Sequence, residues 1–370
     1  LTAEVVDDGD GGRQVKLGGD IVDDSFNPTS AVAGQDGSGI VTDGPVEGAT
    51  VFADLDGDGE QDPGEPTATS DANGLFQFGG TDATDAELIA TGGTDTSTGR
   101  EVTGSFEAPS GSNVVSPVTS VINRVSETTG MSTEEATQAV REAFGLSDSV
   151  DPTRDAPSVI IGDSGSSDAE KDAAADLQRA QSQIVATRDL AANAASGTSD
   201  SDDSEGASNS ALNAIADSIT GSMQDGGSVD LSDQETVKDV ISNTIQDVAE
   251  QTGNEVDDET AENTANAVSR VAADINKRMQ DAVDESDDAA SAVSEIVRNQ
   301  DVAQGDAAEQ VRDGSVSGNL DDVSETFSGE NLDNAVENSD SQVSDDIADQ
   351  LPDDDGPADT NFAPSASDGS

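Results

Sequence analysis

Several residue types that carry reactive chemistry are missing from this chain. Its 370 residues include no cysteine, no histidine, no tryptophan and no tyrosine, and only eight phenylalanines. Without cysteine there is no disulfide, no thiolate metal site, no cysteine nucleophile and no thioether lipid anchor. Without histidine the commonest acid–base group is gone, and no Gly-rich phosphate loop or nucleophile motif replaces it. Paired carboxylates alone could hydrolyse glycosidic bonds, but that chemistry usually works against an aromatic sugar platform. The sequence therefore points away from an enzyme. Any core must be built mostly from Ala and Val, thinly anchored by aromatic rings.

Long apolar runs are also absent. No stretch approaches the ~20 residues needed to span a bilayer, and residues 158–162, around Ile160 and Ile161, are among the most apolar. No membrane span is expected. The chain opens at Leu1 without a charged segment leading into an apolar one, as expected of a mature product after removal of a leader.

Positive charge is scarce. Seventy-nine acidic residues face 15 basic ones, a formal charge of −64 spread over every segment. Nucleic acid and anionic lipid are bound through Lys and Arg that neutralise phosphates, so neither is an expected partner. Cations are. Such a balance fits either disorder, because little burial offsets chain entropy, or adaptation to molar salt, where the Debye length falls to about 3 Å and like charges on a folded surface stop repelling one another. Helix caps and apolar stripes persist among the acids, which favours salt adaptation. Arg outnumbers Lys eleven to four, as suits a surface that avoids the strongly hydrated ammonium group.

At this length two or three domains are expected. Residues 1–45, rich in Gly and Asp, read as an arm with extended pieces near Val15 to Leu17 and Ile40 to Val41 that could supply an edge strand. Residues 46–110 carry short β-rich runs at 46–53, 75–78, 87–91 and 101–106, the spacing of a small antiparallel β-sandwich. Near residue 110 the apolar period lengthens to about 3.6. Residues 111–195 read as helical, with Ser116-Pro117 starting one helix and a Ser132/Glu135 capping box starting the next. A Pro-containing linker at 151–157 precedes a helix over 168–195. Residues 196–209, with no apolar side chain larger than Ala, read as a flexible linker. Residues 210–350 form a helical domain: a stripe through Leu212, Ile215, Ile219 and Met223, a helix capped by Ser232 and Glu235 and ended by Gly253, and further helices over 258–283 and 289–298. Residues 351–370 read as a disordered acidic tail. The whole is an α+β, multi-domain chain. The stripes are short and unsustained as heptads, so an intramolecular core is favoured over a coiled-coil interface.

One constellation carries chemistry. Asp54, Asp56, Asp58, Glu60, Asp62 and Glu65 occupy positions 1, 3, 5, 7, 9 and 12 of a twelve-residue calcium loop, with Gly59 at position 6. Ca²⁺ takes six to eight hard oxygens at about 2.3 to 2.6 Å, and alternating carboxylates on a tight turn can converge on one centre. Glu60 would offer its backbone carbonyl and Glu65 both carboxylate oxygens. Asp71 could add a ligand or simply make an Asx turn. Because strands rather than helices flank the loop, a structural clamp is expected instead of a sensor.

The stretches VEGATVFADLDGDGEQDPGEPTATSDANGLFQF (46–78) and ELIATGGTDTSTGREVTGSFEAPSGSNVVSPVTSVI (87–122) resemble the calcium-binding, prealbumin-like B-type modules of large secreted bacterial and archaeal adhesins, and the acidity looks like that of haloarchaeal exported proteins. The resemblance covers about residues 40–155. It implies a prealbumin-like (Ig-like) sandwich with a calcium loop at Asp54, Asp56, Asp58, Asp62 and Glu65. It further implies an extracellular, non-enzymatic structural or adhesive role at the cell surface of a halophile, with calcium as cofactor and copies of itself or other surface proteins as partners. A virion or appendage building block, and a calcium-binding module of a larger secreted protein, are the alternatives. The arm at 1–45 could join copies head to tail by adding a strand to a neighbour.

Overall fold

The computed structural model describes residues 37–79, 86–225 and 227–339, together with the backbone of three N-terminal strands. The tail expected at 351–370 and the last residues of the expected helical domain lie outside the described residues. Strands β1 (Ala3–Asp7), β2 (Arg13–Leu17) and β3 (Asp20–Val22) pair antiparallel in that order.

The sandwich comprises β4 (Ser38–Val41), β5 (Val46–Glu47), β6 (Thr50–Asp54), β7 (Thr67–Thr69), β8 (Leu75–Gln77), β9 (Glu87–Thr91), β10 (Thr94–Asp95), β11 (Ser105–Ala108) and β12 (Val114–Val115). One sheet has the order β11-β9-β6-β7 and is antiparallel throughout; the other is β12-β4-β8, and β5 pairs with β10 as a short ribbon. The pairing departs from a purely antiparallel sandwich at β4, which runs parallel to β12. The 46–53 run also splits. Gly48 sits at φ 77°, a left-handed conformation open to Gly, and turns the chain from the ribbon into the large sheet. Ile40 and Val41 belong to the sandwich through β4, so the arm ends before residue 45.

Alternation explains the core. Val51 and Ala53 on β6 and Leu88 and Ala90 on β9 face Phe76, Phe78 and Phe106 in one apolar cluster. On the opposite face Phe52 and Ile89, paired in register, are also buried. The central strands β6 and β9 are thus covered on both faces, while the edge strand β7 is largely exposed.

The helices are α1 (Pro117–Thr129), α2 (Thr133–Phe144), α3 (Pro157–Gly162), α4 (Asp168–Ser199), α5 (Ser204–Asp225), α6 (Gln234–Thr252), α7 (Asp258–Glu285), α8 (Ala289–Val302), α9 (Ala308–Ser317), α10 (Asp321–Thr326) and α11 (Gly329–Glu337); a π-helical turn, Ala303–Ala307, joins α8 to α9. Ser116 caps α1, and the Ser132/Glu135 box caps α2 as the spacing predicts. The cap of α6 lies one residue later than expected. Asp230 accepts from both the backbone N–H and the hydroxyl of Ser232, so Ser232 is engaged and Asp233 takes the N-cap, accepting from Thr236 N.

The flexible linker expected at 196–209 is not there. Ser196 to Ser199 complete α4, and Ser204 to Asn209 open α5, leaving only 200–203 between them. Ser196, Ser199, Ser201 and Ser208 are buried. Small side chains here permit close helix contact: a Cβ on Gly197 would lie 2.6 Å from the carbonyl oxygen of Arg312 on α9. Nor do 111–195 and 210–339 form separate helical domains. Helix α4 packs against α1, α3 and α5 to α9, and its residues enter cores shared with both halves. Leu212, Ile215 and Ile219 are buried within this body, as the intramolecular reading of the stripes requires. No helix among the described residues is long and apolar enough to cross a membrane.

Gly197→Ala is expected to lower unfolding stability by about 1 to 3 kcal/mol through overpacking against α9. Gly221→Ala on α5, with nothing near its Cβ position, is expected to raise it by up to about 1 kcal/mol through helix propensity. Denaturant titration of both variants checks the contrast, and equal effects would contradict the close α4–α9 contact.

Candidate metal centre

The loop from Asp54 to Glu65 connects β6 to β7, two neighbours of the large sheet, so both of its ends are fixed by ladder hydrogen bonds. Asp54, the last residue of β6, is 5% exposed. Its carboxylate gathers the turn: Oδ1 accepts from the backbone of Asp56 (3.2 Å) and Gly57 (2.7 Å), and Oδ2 from Gly59 (2.8 Å). Gly57 and Gly59 hold φ of 78° and 79°, which the winding needs and which side chains resist. Asp58 accepts from Glu60 N at 2.8 Å.

At the far end Glu65 closes the loop, accepting from Leu55 N at 2.8 Å and Asp62 N at 3.0 Å. The winding brings one carboxylate oxygen each of Asp54, Asp56 and Asp58 within 4.8 Å of one another. Such convergence of like charges is costly unless a cation sits between them. The strain shows on Asp56, whose carboxyl is pushed above its ordinary range first by Asp58, with Asp62, Asp54 and Glu65 adding to it.

Of the six residues that the spacing nominates, the structure therefore gathers three. Glu65 is beside them as the loop's clasp. Glu60 and Asp62 have exposed side chains outside the cluster. Asp71 accepts from Asn73 N (2.9 Å) and Leu75 N (3.0 Å), an Asx turn, and is not part of the group.

Glu87 was not legible as a neighbour of this site. It lies opposite Asp54 in the β6–β9 ladder, and only knowledge of that register would have found it. Asn123 of α1 donates to Glu87 Oε1 at 2.7 Å, while the neighbouring Glu107 pairs with Arg124 at 2.6 Å. Burial raises the Glu87 carboxyl to about 7, reinforced by Glu107, Glu127 and Asp54. A carboxyl raised in the folded state binds more protons there than in the unfolded chain. Its contribution is therefore favourable at low pH and is lost as pH rises from about 4.5 to about 7. At molar salt, the melting temperature of the protein is expected to fall across that window, and Glu87→Gln to flatten the slope. Parallel melting profiles for the two proteins would contradict a buried, proton-holding Glu87.

Compared with protein-family models, curated proteins and solved structures, the chain matches none.

Proposed function

We propose that this chain is a non-enzymatic, calcium-stabilised extracellular structural or adhesive protein of a salt-adapted system, working at a cell surface in contact with copies of itself or other surface proteins. The observation that carries the reading is the convergence of Asp54, Asp56 and Asp58 on a loop wound by backbone hydrogen bonds. An all-oxygen, all-carboxylate donor set suits a hard cation, and a loop of this size and residue spacing suits Ca²⁺ over the smaller Mg²⁺. Glu65 and Asp62, at the other end of the same loop, are the candidates to complete the shell.

Both flanks of the loop are strands of one sheet, so filling it stiffens β6 against β7 and has no helix pair to open. A clamp of that kind, on a sandwich of the prealbumin type, suits a load-bearing module more than a switch. The charge supports the salt-adapted part of the reading. With 79 acids and 15 bases, ion pairing inside the chain can neutralise only a small part of the surface, and dissolved cations must do the rest.

Saturating calcium is expected to add about 2.7 kcal/mol of stability at a hundredfold excess over Kd, and to protect residues 55–66 from protease. Asp58→Asn should lose most of both effects. Identical cleavage with calcium and with chelator would reject the calcium clamp. Dilution from about 1 M to about 0.01 M salt, with calcium held constant, is expected to lower helix content by circular dichroism, because the Debye length lengthens about tenfold and repulsion returns. A flat signal would contradict salt adaptation.

A further inference from the structure

The seam between the sandwich and the helices buries charge that the calcium loop does not explain. Asp43 lies in the corner between β4 and β5, is 1% exposed, and neither of its carboxylate oxygens has a hydrogen-bond partner. Its backbone carbonyl accepts from Gln178 Nε2 of α4 at 2.7 Å, which pins the corner to that helix.

The nearby charges are engaged elsewhere, in whole or in part. Arg188 of α4, fully buried beneath the Phe106 ring at 5.2 Å, gives its Nε to Asp189 at 2.7 Å. Arg100 pairs with Asp301 of α8 at 2.8 Å. Asp95 on β10 accepts from Ser97 N (2.8 Å), Thr98 Oγ1 (3.0 Å) and Gln300 Nε2 (3.5 Å). Arg188 with Asp189, and Arg100 with Asp301, are neutral pairs, and Asp95 is held by three donors. Asp43 has no hydrogen-bond partner on either oxygen and no ion pair of its own. Burial pushes its carboxyl well above the usual range, Asp95 and Asp189 push the same way, and Arg188 and Gln300 oppose.

A second observation points to an occupant. Both Nη atoms of Arg188, and both amide atoms of Gln181 on the same face of α4, are buried without a partner. Buried polar atoms in native proteins are bonded in the great majority of cases, and a cluster of orphaned donors and acceptors is where ordered water resides. Three carboxylates converge only at Asp54, Asp56 and Asp58 among the described residues, so the seam is not built for a divalent ion.

We propose that the seam binds one hydrated monovalent cation, Na⁺ or K⁺, on the Asp43 carboxylate, with its ordered waters accepting from the Arg188 guanidinium. One positive charge offsets the one carboxylate of the seam whose oxygens no donor reaches, and the waters satisfy the orphaned donors. The ion thereby fastens the sandwich corner to α4.

The full chain is melted at pH 8 in excess calcium, which keeps the Asp54 loop filled, in NaCl, KCl and choline chloride at equal ionic strength. The melting temperature is expected to be higher by about 3 °C in NaCl or KCl than in choline chloride, and Asp43→Asn to erase that difference while folding normally. Equal melting of the wild-type chain in all three salts would overturn the proposal, as would the same difference in Asp43→Asn. Stabilisation on acidification without any cation preference would overturn it too, since a proton would then neutralise Asp43. Independently of the variant, wild-type crystals grown in RbCl should show an anomalous peak beside Asp43, and its absence counts against the site.

Discussion

Carboxylates with too few bases to neutralise them set the terms for this protein. At −64, the folded chain is stable only where each crowded or buried carboxylate meets something positive, and the structure shows three local answers. Backbone N–H groups serve at helix starts: Glu135 and Glu170 take the N–H groups of Ser132 and Ser167, and both carboxyls are held below their ordinary range by those bonds. Asp54 collects three N–H groups in the same way. Scarce bases are placed deep, as with Arg188 beside Asp189 and Arg124 beside Glu107. Burial that raises a carboxyl toward neutral pH is the third, as at Glu87. On the proposed reading, cations from solution balance what remains on the loop and over the surface.

The architecture follows from the same economy of large side chains. With few aromatics, the helical body is built on α4, whose Ala, Ser and Gly residues let neighbouring helices approach and whose polar residues find partners on other elements. Gln183 donates to the carbonyl of Asn276 on α7, and Ser182 bonds Gln300 on α8. Such bonds specify one arrangement of helices where apolar bulk is insufficient to do so. Gln178 of α4, donating to the Asp43 carbonyl, and Arg100, paired with Asp301 of α8, tie the sandwich to the bundle, and the Asp54 loop sits on a sheet whose other edge, β11, packs against α1.

Local signals were legible where they are self-contained. The Ser132/Glu135 box and the Gly253 stop each depend on residues within one turn, and their spacing is enough to place them. Signals failed where a neighbour intervened. Ser232 is a good cap by type, but Asp230 engages it first. Ser196 to Asn209 looks like a linker by composition, yet small residues are what close α4–α9 packing demands. The seam at Asp43 was invisible because its partners are far away in sequence: Gln178 is 135 positions away. In the loop itself, spacing named six candidates but could not tell which carboxylates the turn would gather, since that depends on the φ of Gly57 and Gly59 and on the clasp by Glu65.

Metal content is the most direct measure of whether the converged loop has the role its geometry suggests. Protein equilibrated with calcium at molar salt and desalted into chelator-free buffer, then weighed by native mass spectrometry, should carry one calcium per chain, and a chain with Asp54, Asp56 and Asp58 all changed to Asn should carry none. Wild-type protein that emerges without calcium, or a triple variant that retains the same amount, would contradict a calcium-stabilised sandwich.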